Sequence, residues 1–276
     1  MKKNIFLKVI YTLFLITVAG VIMLPIYYLI VTTFKTPAEA VSNPLGLPIN
    51  FTFENYSKAI KAMNYTTALK NNLIIAGSSV GLLVFLSSMA AYVIARSKRK
   101  MFKWMYSIFL GGLIIPFQIS IIPLYKIIAG MNLMNTHLGV ILVNVFCINL
   151  PLSIFLMRGF INTVPLELEE AAIIDGCGTF TCFWRIVFPL LKPIVSTVAI
   201  LNTLAIWNDF MTPLLFLQSP SKQVLLQQVY RNVGPFSTDW TSFFPMLVMS
   251  TLPLVIFYLI MKNQIIEGVA AGAVKG

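Results

Sequence analysis

The sequence predicts an all-α membrane protein with six transmembrane helices. Three observations carry that prediction. The 276-residue chain is 58% hydrophobic and only 11% charged, where soluble domains hold about 45–50% apolar and about 25% charged residues. The mean hydropathy is +0.86. The apolar runs are long and continuous, unlike the alternating segments of roughly 10 residues found in outer-membrane barrels. A soluble globular enzyme is excluded on these grounds. Disorder is excluded by 21 Phe and 10 Tyr. A disulfide-stapled secreted domain is excluded by only 3 Cys in so long a chain.

A bilayer-crossing helix needs about 20 mainly apolar residues. Candidate spans fall near 9–34, 71–95, 104–124, 138–157, 193–217 and 243–261. The first follows Lys2 and Lys3, as a signal peptide would, but its apolar run reaches Phe34. A cleavable hydrophobic core runs about 7–15 residues, so this is an uncleaved span. The last span contains Pro253, which membrane helices tolerate when neighbours re-satisfy the freed carbonyl. The organisation reads as a first helix and loop over 1–66, a transmembrane core over 67–261 and a tail over 262–276.

Six spans put both termini on one side. The net charge of +11 would suggest nucleic acid in a soluble protein. Here the basic residues flank apolar runs, so no nucleic-acid partner is expected and the surroundings are membrane lipid. Lys2, Lys3, Lys8, Arg96, Lys98, Arg99, Lys100, Lys103, Arg158, Arg185, Lys192, Lys262 and Lys275 share one side. The positive-inside rule makes that side cytoplasmic, giving a multi-pass cell-membrane protein with both termini inside. The loop over 35–70, with Pro37, Pro44 and Pro48, lies outside. It reads equally as a contact for an external partner and as a solvated connection.

Several chemistries lack their residues. No G-x-x-x-x-G-K-[ST] loop is present to hold ATP. The single histidine, His137, stands in the short outer loop after the third span, and no H-E-x-x-H occurs. Cys177 and Cys182 have no second pair, and Cys147, in the fourth span, is expected to pack against a neighbour. No G-x-S-x-G elbow exists. No metal site and no catalytic residues are therefore assigned.

The loop between the fourth and fifth spans is the informative one. Pro165 suits a first helical turn. Glu167, Glu169 and Glu170 favour the positive end of the helix dipole, and Gly176 and Gly178 suit termination. A second amphipathic piece starts near Thr179 and runs through Phe183, Trp184 and Ile186 to Pro189. Leu166, Ile173 and Ile174 are expected to pack inward, Ala171 and Ala172 to leave a shallow surface, and Glu170 and Asp175 to offer charge. The physics fits a docking element and a helix lying at the bilayer interface equally well.

Glu170-Ala171-Ala172, Gly176, Ile186 and Pro189 resemble the EAA loop of ABC importer permeases. Phe188 replaces the usual Leu and Cys177 the usual Ala, both mild changes. The resemblance extends along the chain. Asn71-Asn72-Leu73, Ile115-Pro116-Phe117-Gln118, Asn135-Thr136, Trp207-Asn208-Asp209-Phe210 and Ser237-Thr238-Asp239-Trp240 are similar to stretches of sugar permeases. The tail from Gly268 to Gly276 resembles that of the shorter, six-span maltose-type subunit.

The resemblance implies a type I ABC importer transmembrane domain with a cytoplasmic coupling helix, and a transport subunit rather than an enzyme. It implies a second permease subunit, a dimeric nucleotide-binding ATPase, an extracellular solute-binding protein and a sugar substrate, with an oligosaccharide expected. No cofactor would bind this chain, since ATP and Mg belong to the partner ATPase. Glu170, Ala171, Ala172, Asp175 and Gly176 would dock that ATPase. The tail residues Gly272, Lys275 and Gly276 would reach between its subunits, unless the terminus is merely frayed. Asp209, Asn208, Trp207, Gln118 and Asn149 are candidates for the substrate pathway. An ionisable group at membrane depth is costly, so Asp209 should face water or a polar partner, although its motif also suits helix packing. Polyamine or glycerol phosphate would be alternative cargoes. A stand-alone secondary transporter is the alternative class, though neither an ion-coupling site nor an inverted repeat is visible.

Overall fold

A computed structural model describes residues 2–233 and 239–273, with side chains over 8–233, 239–262 and Gln264. It is helical throughout, with no strand among the described residues. Four helices are long and apolar enough to cross a membrane, and two bent pairs bring the possible spans to six. The chain forms two compact units, one of residues 1–66 and 228–252, the other of residues 67–227 and 253–276.

The first unit begins with α1 (Lys2–Thr32). Its apolar window is not covered by the rest of the chain, as suits a helix that faces lipid. The loop that follows is folded. Thr36 caps α2 (Pro37–Ser42) by accepting from the Glu39 amide at 3.3 Å, with Pro37 at the first helical position. Phe34, Phe51, Phe53 and Tyr56 form an aromatic cluster, with Phe34 stacked on Phe51 at 4.5 Å. Asn55, on α3 (Glu54–Ala62), donates to the carbonyls of Thr33 and Lys35 at 2.9 and 2.8 Å. The loop is thus folded on itself, with part of its backbone bonded within the chain. Asp239 heads the last helix, α13 (Trp240–Ala273), accepting from the Thr241 amide and hydroxyl and from the Ser242 hydroxyl. Burial raises the Asp239 pKa, but these hydrogen bonds outweigh it and hold the carboxyl below its ordinary value.

The second unit holds most of α4 (Tyr65–Arg96) and, in order, α5 (Lys100–Gly112), α6 (Phe117–Gly130), α7 (His137–Ile161), α8 (Glu167–Ile174), α9 (Thr179–Leu190), α10 (Lys192–Trp207), α11 (Met211–Phe216) and the start of α12 (Leu225–Arg231). The inward face of α4 carries Ala76, Ser79, Leu83, Ser87 and Ala91. The Ala and Ser residues among these allow close helix approach where lipid supplies no hydrophobic drive. The helices α5 and α10 pack on α7, and the Arg158 guanidinium lies 4.0 Å over the Tyr106 ring.

Two expected spans are not continuous. The third is broken between α5 and α6, which meet at 107°. Pro116 has no N–H to carry the helix on and pushes Ile115 out of helical geometry. The fifth ends at Trp207, because Asn208 and Asp209 leave the helix and a separate α11 begins. Before it, α9 and α10 meet at 76°, so the piece from Thr179 stands apart from the span. Cys147 is also corrected: it is exposed.

Several motif residues prove to be joints. The Asn71 side chain donates to the carbonyls of Ser221 and Gln223, both at 2.9 Å, and Asn72 accepts from the Leu225 amide at 2.9 Å. Asn135 adopts φ +56° and accepts from the amides of Gln218 and Ser219. These side chains hold the loop after α11 in place.

Candidate functional site

The helix α8 is short, and its two faces differ. Glu169 and Ala172, three residues apart, face inward, while Glu170, Ala171, Ile173, Ile174 and Asp175 are exposed. The inner face is fixed by charge. Arg96, the last residue of α4, places Nη2 2.7 Å and Nε 2.8 Å from Glu169 Oε1. Nη2 also donates to the Val164 carbonyl at 2.9 Å, and the Tyr92 hydroxyl donates to Glu169 Oε2 at 2.8 Å. Both carboxylate oxygens are thus occupied within the chain, and α8 is tied to the end of a membrane span.

The helix ends in a Schellman arrangement. Gly176 adopts φ +84°, its amide donates to the Ile173 carbonyl, and the Cys177 amide donates to the Ala172 carbonyl, each at 2.9 Å. A glycine fits this left-handed position without strain. Beyond it α9 is held to α4 by rings: Trp184 stacks with Phe85 at 5.8 Å and Phe183 packs on Tyr92 at 5.0 Å.

The expectation that Leu166, Ile173 and Ile174 pack inward is corrected. Leu166 is half-exposed, Ile173 more so, and Ile174 is 85% exposed. The inward face belongs to Glu169 instead. Ala172 lies on the floor of a surface cleft of about 390 Å³ that Asp175, Gly176 and Arg185 also line. Glu169 is the residue that sequence reasoning missed. Its spacing from Ala172 places the two on one helix face, but no local signal points to its partner Arg96, 73 residues away.

Within the membrane region the structure joins polar residues into a ladder. Asp209 Oδ2 accepts from Asn144 Nδ2 at 3.3 Å, and Oδ1 accepts from the Thr212 amide at 3.1 Å. Asn149 donates to the Asn144 carbonyl at 2.9 Å, Ser153 to the Asn149 carbonyl at 2.9 Å, and Asn202 to Ser153 Oγ at 3.0 Å. The stretch Val143–Asn149 is a π-helical turn, a wider winding that often marks functional positions.

Asp209 and Asn149 thus join α7, α10 and the start of α11. Asn149 and Trp207 are buried, whereas Asn208 and Gln118 are exposed. Trp207 lines a cavity of about 250 Å³ with Gly77, Val80, Pro253 and Phe257. That lining suits apolar contact rather than a polyhydroxyl ligand. Among the described residues no three His, Cys, Asp or Glu converge as metal ligands. Gly272 falls in the last turn of α13, and Lys275 and Gly276 lie outside the described residues.

The bundle and its tethered surface helix define an integral-membrane transport subunit of the importer-permease class. Residues 74–269 match the binding-protein-dependent transport system inner membrane component, and the chain belongs to that family. It is 33% identical to the probable starch degradation products transport system permease protein AmyC of Thermoanaerobacterium thermosulfurigenes, over 95% of this chain and 97% of that one. It is 35% identical to the melibiose/raffinose/stachyose import permease protein MelC of Bacillus subtilis, over 96% of each. The fold matches a bacterial ABC transporter involved in the import of the acidic polysaccharide alginate, with a TM-score of 0.85 at 20% identity, covering 95% of this chain and 98% of that one. The chain is accordingly a transport subunit rather than an enzyme.

Proposed function

We propose that this chain forms half of the translocation pathway of an ATP-driven oligosaccharide importer and docks its ATPase through α8. The carrying observation is the division of labour on that helix. Glu169 ties it to α4 through Arg96 and Tyr92, while Glu170, Ile173 and Ile174 are left exposed for a partner. A tethered helix transmits force, whereas a loose one would swing. ATP and Mg belong to the ATPase, whose closure would move α8 and, through Arg96, the span that carries it. Each state must hold the partners differently for such coupling to exist.

The basic cluster Arg96, Lys98, Arg99, Lys100 and Lys103 supports a cytoplasmic α8 and cytoplasmic termini. A second, non-identical permease subunit would complete the pathway, and Gly272, Lys275 and Gly276 would reach the ATPase. Oligosaccharide is favoured as cargo by the relatives named for starch products and for melibiose, raffinose and stachyose. Asp209 serves the ladder first, and Asn208 and Gln118 are the candidates left facing outward.

Reconstitution with the partner permease, ATPase and binding protein tests the reading. ATP hydrolysis should rise when the binding protein is loaded with raffinose or maltotriose. A rise only with polyamine or glycerol phosphate would overturn the cargo. Uptake by this chain alone, driven by an ion gradient, would overturn the class.

A further inference from the structure

The loop after α1 shows a polarity opposite to that of a solvated loop. Between Ala40 and Phe53 the chain carries no charged side chain. Leu47 is 71% exposed and Ile49 77%, and Val41, Leu45, Phe51 and Phe53 are exposed with them. The two charged side chains that precede the segment, Lys35 and Glu39, turn inward. Lys35 is fully buried, and its Nζ donates to the carbonyls of Asn43 and Pro44 at 2.6 and 3.1 Å. The buried Glu39 accepts from the amides of Ile49 and Asn50. Asn43 Oδ1 accepts from the Gly46 amide at 3.0 Å. The amides of Gly46, Ile49 and Asn50 and the carbonyls of Asn43 and Pro44 are thereby bonded within the chain, which lowers the cost of bringing this backbone up to hydrocarbon.

The position of the segment points to the same surroundings. The Tyr27 hydroxyl donates to the Leu45 carbonyl at 2.9 Å. Tyr27 stands five residues before Thr32, the end of α1, which is about 8 Å along the helix axis. The segment therefore folds back beside the apolar window of α1, whose own side chains are uncovered. The exposed apolar residues continue that lipid-facing surface.

We propose that residues 41–53 form a foot that inserts into the lipid interface at the C-terminal end of α1, with Leu45, Leu47 and Ile49 in the acyl region. The foot fixes the depth of α1 and leaves the polar face of α3, with Glu54, Ser57 and Lys58, in water.

The test uses the full chain in lipid nanodiscs of phosphatidylethanolamine and phosphatidylglycerol. After Cys147→Ala, Cys177→Ser and Cys182→Ala, single cysteines are placed by Leu47→Cys, by Ile49→Cys and, as an aqueous control, by Ser57→Cys. Each carries an NBD fluorophore. With the foot buried about 5–10 Å into the interface, labels at 47 and 49 should lose about half their emission to nitroxide-bearing phospholipid and react with dithionite roughly tenfold more slowly than the label at 57. Equal dithionite rates at all three sites, without nitroxide quenching, would overturn the proposal. Shielding from dithionite without nitroxide quenching would assign the surface to a protein and overturn it equally. Two independent foot positions keep the result readable if one variant fails to fold.

Discussion

Replacing Glu169 by Ala should release α8 from the membrane span. The side chains of Arg96 and Glu169 are 18% and 5% exposed, and their closest atoms are 2.7 Å apart. At an effective dielectric near 20 the Coulomb attraction is about 6 kcal/mol. Most of it is offset by desolvation of both charges. Removing one partner leaves the other charge buried without compensation, which costs about 3–5 kcal/mol. Arg96 keeps the Val164 carbonyl and some water, so the lower end, about 3 kcal/mol, applies. That is a factor of roughly 100 in the equilibrium between tethered and released helix. Amide hydrogen exchange across residues 167–176 reads it directly, as a loss of protection of about that factor. The triple change Tyr92→Phe, Arg96→Met and Glu169→Leu removes the whole polar set and should recover most of the protection. Losses below about 1 kcal/mol for Glu169→Ala and Arg96→Ala, adding without interaction, would refute the tether.

Gly176→Ala should cost about 1–2 kcal/mol, seen as a lower midpoint of thermal unfolding, because φ +84° is left-handed and only the backbone objects; no heavy atom lies within 4 Å of the added carbon. Asn144→Leu deprives Asp209 Oδ2 of its donor and should cost about 1–3 kcal/mol by the same assay. Asp239 has a folded pKa below its unfolded one, so its contribution is fully present above the ordinary carboxylate value and is lost as pH falls through the lower folded value. Protection of the amides at the start of α13, taken relative to their intrinsic exchange rate at each pH, should therefore hold at neutral pH and fall only in acid, and Asp239→Asn should remove that pH dependence of protection.

The fold class was legible because apolar run length survives without any knowledge of neighbours. Spans one, two, four and six are continuous helices. The breaks in the other two were less legible, although Pro116 marked one of them. A proline bends some membrane helices and is absorbed by others: Pro253 lies within α13, whose span Trp240–Lys262 continues through it. The exposed Glu170 follows from its place on the helix, but the roles of Glu169 and Arg96 could not be read locally. Their sequence positions differ by 73 residues, and a basic cluster beside a span reads first as an orientation signal. The polar ladder was hidden likewise, since Asn149 and Asp209 are ordinary pathway candidates until Asn144 is seen between them. The inward turn of Lys35 is visible only in the folded loop, because its acceptors are the carbonyls of Asn43 and Pro44.

The central claim is that the exposed face of α8 docks an ATPase, and co-purification tests it most directly. The chain is co-expressed with its second permease and ATPase, as native protein and as Glu170→Ala and Ile174→Asp. Both substitutions lie on exposed positions, so elution and thermal stability of the permease pair should not change. ATPase recovered with the native helix and lost with Ile174→Asp, with a smaller loss for Glu170→Ala, is the predicted result. Equal recovery from all three would contradict the account.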